Sequence, residues 1–484
     1  MHPATIVKIL GLLLMLFSLL GNLPPLLVSL IYSDGSAAAF LYSIGILFST
    51  GLMLWLITSS QHKELSNRDG FMVVTLFWAV LGTAGCLPLL FSPATELSLT
   101  DAVFESISGL TTTGATVISG LDELPESILF YRQLLQWLGG MGIIVLAVAL
   151  LPMLGIGGMQ LYRAESPGPV KDTKLVPRLA ETAKSLWLIY LTLTLICALA
   201  YWAVGMSLFD AVSHSFSTVA IGGFSTHDSS LAYFDSPLVE SIAIVFMVIA
   251  GINFALHFFA FQKKQFRQYL HDPEFKFYAF ILCSVSIVTV MVLTFNGTYD
   301  SFWEALRRGV FQVVSFATTT GFATADFNSW PLFLPYVLLY AAIIGACAGS
   351  TGGGMKVIRI LLIFKQGFRE VQRLIHPRAV IPIKLGKKVM SDRVVESVWG
   401  FFAVYVMAFM LMLLALLATG LDIITAFSAV GACINNLGPG LSGVAETYGA
   451  LPGPAKWILC LAMLLGRLEV FTLLVLFTPM FWKR

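Results

Sequence analysis

Charge is what this sequence has least of. Only 12% of its 484 residues are Asp, Glu, Lys or Arg, about half the share found in a soluble domain. So few ionic groups cannot cover a water-facing surface, which excludes an ordinary soluble enzyme. Basic excess is also lacking: 29 Lys and Arg against 27 Asp and Glu leave a net charge of +2, without the strongly basic footprint that nucleic-acid binding requires. The six cysteines (Cys86, Cys197, Cys283, Cys347, Cys433, Cys460) show no CxxC or Cys/His spacing. They read as buried thiols rather than metal ligands or a disulfide framework. There is no GxxxxGK[ST], and no GxGxxG following a strand, so no organic cofactor is expected in this chain. No small-residue cleavage site follows the first apolar run, which carries Lys8, and a cleaved signal is not expected.

What is abundant is apolar sequence: 57% hydrophobic, with mean hydropathy +0.85. Runs of about 20 apolar residues, enough to cross a bilayer, recur throughout. Two leading spans fall at 5–32 and 38–59. Four units of the form span, half-helix with loop, span then follow. Their outer spans are 70–91 with 128–155, 184–205 with 238–261, 275–296 with 331–364, and 394–419 with 455–480. The reading is an all-α polytopic membrane protein with four pseudo-symmetric pore units around one central pore. Its divisions are expected at 1–69, 70–182, 183–273, 274–392 and 393–484.

The units repeat a short phrase: Thr111-Thr112-Thr113-Gly114, Ala220-Ile221-Gly222-Gly223 and Thr318-Thr319-Thr320-Gly321. Ser108, Ser217 and Ser315 stand six residues before these glycines. Asp101 and Asp210 open the first two pore segments and Asp422 the fourth, favouring the positive end of a short helix. Irregular backbone at membrane depth survives only where it lines a cavity or is buried in protein. Four such loops can surround a cation with carbonyl oxygens without trapping it. In the fourth unit the register stays open. Thirteen residues from Asp422 fall on Asn435, six from Ser428 fall on Ile434, and matching the phrase itself, in its fourth copy Ile434-Asn435-Asn436-Leu437-Gly438, lands on Gly438.

Charge is also unevenly distributed. Segment 355–393 holds ten Lys and Arg against Glu370 and Asp392, and 61–68, 156–184 and 263–276 lean basic, so these are expected on the cytoplasmic side. Segment 93–127 has six acids and no Lys or Arg, and 209–240 has four acids and none. Part of that is ordinary positive-inside bias; the rest predicts an acidic mouth that concentrates cations.

The repeated loops make the chain resemble the Trk/Ktr/HKT superfamily of potassium transporters, most closely its bacterial TrkH branch, over the full length and including the two leading spans. The resemblance implies filter glycines at Gly114, Gly223 and Gly321. It implies that Thr111, Thr112, Ala220, Ile221, Thr318 and Thr319, with Ile434, Asn435 and Asn436 in the fourth loop, present oxygens to potassium or rubidium. It further implies potassium uptake across the bacterial inner membrane, with both termini cytoplasmic. A homodimer in the lipid bilayer is expected, assembling with a cytosolic nucleotide-binding regulatory subunit of the TrkA type.

Two further features lie below the filter. Gly345, Gly349, Gly352, Gly353 and Gly354 interrupt the second span of unit three, at up to about 1 kcal/mol each relative to Ala in a helix. Close helix packing is one explanation; a movable intramembrane gating loop, which the family has, is the other. Arg467 sits in an apolar span, where a charge marks function or a buried pair. It faces the pore, as in the family, or pairs with Glu469 or with an acceptor on a neighbouring helix. His214 and His257 read as polar packing residues. The alternative activities are a proton- or sodium-coupled symporter with alternating access, and a membrane enzyme acting on lipids, for which no carboxylate or His cluster at the membrane surface is seen.

Overall fold

The computed structural model describes residues 2–59, 67–142, 179–262, 264–331, 333–386 and 388–482. Residues 143–155 of the expected second span of unit one lie outside the described residues, as do the basic stretches 60–66 and 156–178.

Among the described residues the chain is all-α apart from one hairpin pairing Lys384–Leu385 with Lys388–Val389. Two leading helices, Pro3–Tyr32 and Ala37–Ile57, pack along each other. The first span of each unit follows as a long helix: Asn67–Ala84 with its continuation Leu87–Phe91, then Leu179–Ala203, Pro273–Phe295 and Asp392–Leu417. Among the described residues six helices are long and apolar enough to cross a membrane, or seven if one bent pair counts as a span. Their outer faces leave side chains such as Leu30, Phe295, Leu411 and Leu414 exposed. An exposed apolar belt of this kind suits lipid rather than water.

Each unit then dips inward as a short pore helix: Leu99–Leu110, Leu208–Ala220, Phe302–Ala317 and Ile423–Ile434. Capping explains where they begin. Ser98, Ser207 and Ser301 accept from the backbone N–H of Asp101, Asp210 and Glu304, three residues on, and Asp422 accepts from that of Thr425. A capping side chain satisfies one of the orphan amides of a helix start. Asp422 is therefore the cap itself, equivalent to Ser98, whereas Asp101 and Asp210 sit three positions inside. Of the three counts left open for the fourth loop, the thirteen-residue one fails because it treats all three aspartates as equals.

The second spans depart furthest from continuous helices: the interruption expected in unit three is present, and the other three units are interrupted as well. In unit one Glu126–Trp137 loosens into a π-helical turn at Leu138–Gly142. In unit two Pro237–Ala250 and Phe254–Gln262 meet at 90°. In unit three Leu334–Ile344 ends at Gly345 and helix resumes only at Val357–Ile375. In unit four Gly453–Arg467 stops before Glu469 and Val470, both at positive φ (51° and 58°). Positive φ at a β-branched residue is strained. Of the six thiols, five are buried and Cys283 is exposed on the flank of Pro273–Phe295.

Candidate functional site

The four pore helices end where the repeated phrases begin, so their partially negative C-termini converge on one place. The backbone beyond them follows a single pattern. Thr113, Gly222, Thr320 and Leu437 each donate their N–H to the carbonyl five residues back, at 2.8 Å in every case (Ser108, Ser217, Ser315 and Ala432). One residue earlier, Thr112, Ile221, Thr319 and Asn436 are left-handed, with φ between 52° and 67°. One residue later, Gly114, Gly223, Gly321 and Gly438 are at φ of 78–97°. The fourth loop is thus in the phrase's own register. Asn435 occupies the place of Thr111, Ala432 replaces the expected serine, and the glycine position belongs to Gly438. Ile434 is the last residue of the pore helix, one step before the loop.

These glycines close a ring. A Cβ on Gly114 would collide with the carbonyl oxygen of Gly222, one on Gly223 with that of Thr320, one on Gly321 with that of Leu437, and one on Gly438 with that of Thr113. Each loop therefore leans on the residue before the next loop's glycine, and the fourth returns to the first. Positive φ and close approach together admit only glycine.

Side chains hold the ring from behind. Thr111 and Thr318 bond back to the helix carbonyls of Ile107 and Val314, and pair with Thr113 and Thr320, each at 2.7 Å. Asn435 is buried against Tyr405, and Asn436 donates to the Thr113 hydroxyl at 2.9 Å and to Met463 O at 3.0 Å. Ala220 and Ile221 contribute no polar side chain.

On the pore-loop side the acids are largely spoken for, which corrects the expectation of a bare acidic mouth. Glu105 is fully buried against Arg132 at 2.8 Å. Asp101 meets Lys456, and Glu240 is buried with Arg307 and Arg308. Asp210 and Asp122 flank His227 at 3.5 and 2.5 Å. Burial opposes a charge on His227, but hydrogen bonds to these two carboxylates outweigh it and raise its pKa. His214 is bonded to Asp210 O and Ser225 Oγ, and His257 to Tyr269 and Ile249 O.

On the opposite face of the ring lies the glycine-rich loop of unit three. Thr351 Oγ1 donates to Val219 O at 3.1 Å, Gly353 N to Thr319 Oγ1 at 2.6 Å and Gly354 N to Asn435 O at 3.0 Å, so it touches the end of the second pore helix and filter loops three and four. Gly352 and Gly353 pass so close to Thr318 O and Asn435 O that neither has room for a Cβ. Gly345, Gly349 and Gly354 are at positive φ. The break in unit two holds the loop's start: Cys347 N bonds Gly251 O at 3.0 Å and Phe254 N bonds Gly349 O at 2.9 Å. Glu274 accepts from Ala348 N at 2.7 Å.

Arg467 completes the layer. Its guanidinium donates to Thr112 Oγ1 of filter loop one (3.1 Å), to Thr351 O of the glycine loop (3.3 Å) and to the backbone carbonyls of Gly139 and Gly140 in the break of unit one. Glu469 is bonded instead to Arg359, so the expected alternative pairing of Arg467 with Glu469 is replaced by another. Sequence reasoning missed Gln136, Glu274 and Arg359, and left Gly438 as one of three registers for the fourth loop. Only Gly438 had a readable signal: Ser98 to Gly114, Ser207 to Gly223 and Asp422 to Gly438 are the same distance, counted from cap to glycine.

With that geometry in hand, comparison with known proteins is specific. The family described as "TrkH: Cation transport protein" matches residues 36–484. The chain is 58% identical to the Trk system potassium uptake protein TrkH of Halomonas elongata, covering 99% of both chains. It is 41% identical to the Trk system potassium uptake protein TrkG of Escherichia coli, covering 100% of this chain and 99% of that one. The crystal structure of the potassium transporter TrkH from Vibrio parahaemolyticus superposes with TM-score 0.91 at 53% identity, covering all of both chains.

Proposed function

The chain belongs to the TrkH family of cation transport proteins, and from that premise we propose that it takes up potassium across the bacterial inner membrane through one selective, channel-like pore. The observation that carries this reading is the closed ring of Gly114, Gly223, Gly321 and Gly438, each in contact range of the next loop's backbone carbonyl. A cation entering it exchanges water for carbonyl oxygens at the negative ends of four half-helices. In this reading Thr111, Thr112, Ala220, Ile221, Thr318, Thr319, Asn435 and Asn436 line the filter. The loop from Gly345 to Gly354 is the barrier and Arg467 its fixed positive charge. Val357–Ile375 leaves the barrier directly and opens the basic segment 355–393. That segment is where a cytosolic TrkA-type nucleotide-binding subunit would act, on a homodimer whose termini are cytoplasmic by the positive-inside bias. Rubidium uptake into proteoliposomes containing only this chain, competed in turn by potassium, sodium and lithium, tests the reading. Potassium should compete and sodium should not; equal competition by both rules out a selective filter.

A further inference from the structure

Filter loops one and three share a hydroxyl clasp, in which the first and third threonines bond each other and the first bonds the pore helix. Loop two has Ala220 and Gly222 in those places and no hydroxyl to make the clasp. Its backbone would be the least restrained of these three, yet Gly222 O is the carbonyl on which Gly114 packs. The restraint comes from another unit. Gln136, in the Glu126–Trp137 helix of unit one, is fully buried. Its Nε2 donates to Gly222 O at 2.6 Å and its Oε1 accepts from Phe224 N at 3.1 Å. One amide thus spans Gly223 from behind and fixes the backbone on both sides of it. The fit is exclusive: a Cβ on Gly222 would occupy the place of the Gln136 amide. Gln133 and Arg132 of the same helix continue the support to Phe224 O and Ser225 O.

We infer that Gln136 is a positioning residue for selectivity, replacing for filter loop two the hydroxyl clasp that loops one and three build from their own threonines. This rests on the reading of the ring as a potassium filter. A buried amide that only satisfied its own polar atoms would matter for stability; one that places a filter carbonyl also matters for which ion passes.

The test is the rubidium-to-sodium flux ratio of the full-length protein in proteoliposomes, with thermal stability measured in parallel. Gln136→Met keeps the length of the side chain and removes both hydrogen bonds. The ratio should fall about tenfold, the scale of one or two lost hydrogen bonds. The triple variant Gln136→Ala, Ala220→Thr, Gly222→Thr gives loop two its own clasp in the vacated space and should recover most of the ratio. If wild type itself fails to discriminate, the filter reading fails. If wild type discriminates and Gln136→Met keeps its ratio while losing only thermal stability, the inference about Gln136 is overturned. Should Gln136→Met not fold, the folded triple variant decides: discrimination near wild type supports the inference, and loss of discrimination refutes it.

Discussion

Two glycine-rich layers face each other in this molecule, and they use the same residue for opposite ends. In the filter ring glycine is locked. The same 2.8 Å backbone bond recurs in all four loops, and each glycine is backed by a neighbour's carbonyl, so no loop can shift without displacing the next. In the layer beneath, one loop of unit three lies against the break of unit two and is held by contacts of different kinds: an amide on Glu274, a hydroxyl on Val219 O, a guanidinium on Thr351 O. Closure by symmetry gives a rigid site, whereas an assembly of unlike contacts can be undone one contact at a time. Substitutions in the ring should therefore change which ion passes, and those in the lower layer how fast it passes.

The largest effect is expected from Gly321→Ala. Left-handed backbone costs Ala about 1–2 kcal/mol, and overlap of its Cβ with Leu437 O adds about 1–3 kcal/mol. The rubidium-to-sodium flux ratio should collapse toward unity; a ratio equal to wild type would show that the ring is not the filter. Next comes Arg467→Ala, which removes a charge whose repulsion of a cation 4 Å away is at most roughly 4 kcal/mol at an effective dielectric of 20. Part of that is offset by the carbonyls it binds. Flux per folded molecule should rise several-fold with the ratio unchanged, and a shift in the ratio would place Arg467 in the filter's function instead.

Arg359→Ala leaves Glu469, 18% exposed, without its partner. Breaking a pair this buried costs about 3 kcal/mol, the low end of the range for buried pairs. Thermal denaturation of the purified protein should show the loss, and Glu469→Gln on the same background should restore part of it. Gly349→Ala is smaller, at about 1–2 kcal/mol, since its Cβ meets only the end of the Asn253 side chain at 3.1 Å. Set beside Gly321→Ala, it should raise basal flux and spare selectivity; if both lose selectivity alike, the contrast between layers is wrong.

The smallest effect concerns pH at the mouth. Because the pKa of His227 is raised in the folded protein, its contribution to stability is present below its unfolded value near 6.5 and is lost as pH rises through the folded value. The melting temperature should fall slightly between about pH 6 and 9, and His227→Gln should flatten that slope. An unchanged slope in the variant would assign the effect elsewhere.

Much of this was legible before any coordinates. Lys and Arg are scarce between 93 and 127 and crowded between 355 and 393, and hydropathy and the repeated phrase placed every first span and pore helix. The register of the fourth loop stayed open because an aspartate that caps a helix looks, in sequence, like one inside its first turn. The acidic mouth was overestimated because Arg132, Lys456, Arg307 and Arg308 come from other segments to meet those acids.

The sequence by itself determined what depends on local chemistry: which stretches partition into lipid, where helices start, and which backbone positions require glycine. Each of these is a property of a few neighbouring residues. Only the tertiary structure decided that the second spans of units one, two and four break as well, that Glu469 pairs with Arg359, and that Arg467 reaches a filter threonine 355 residues away. Those contacts join units that are far apart along the chain, and apolar sequence looks the same whether it continues a helix or bends around a partner.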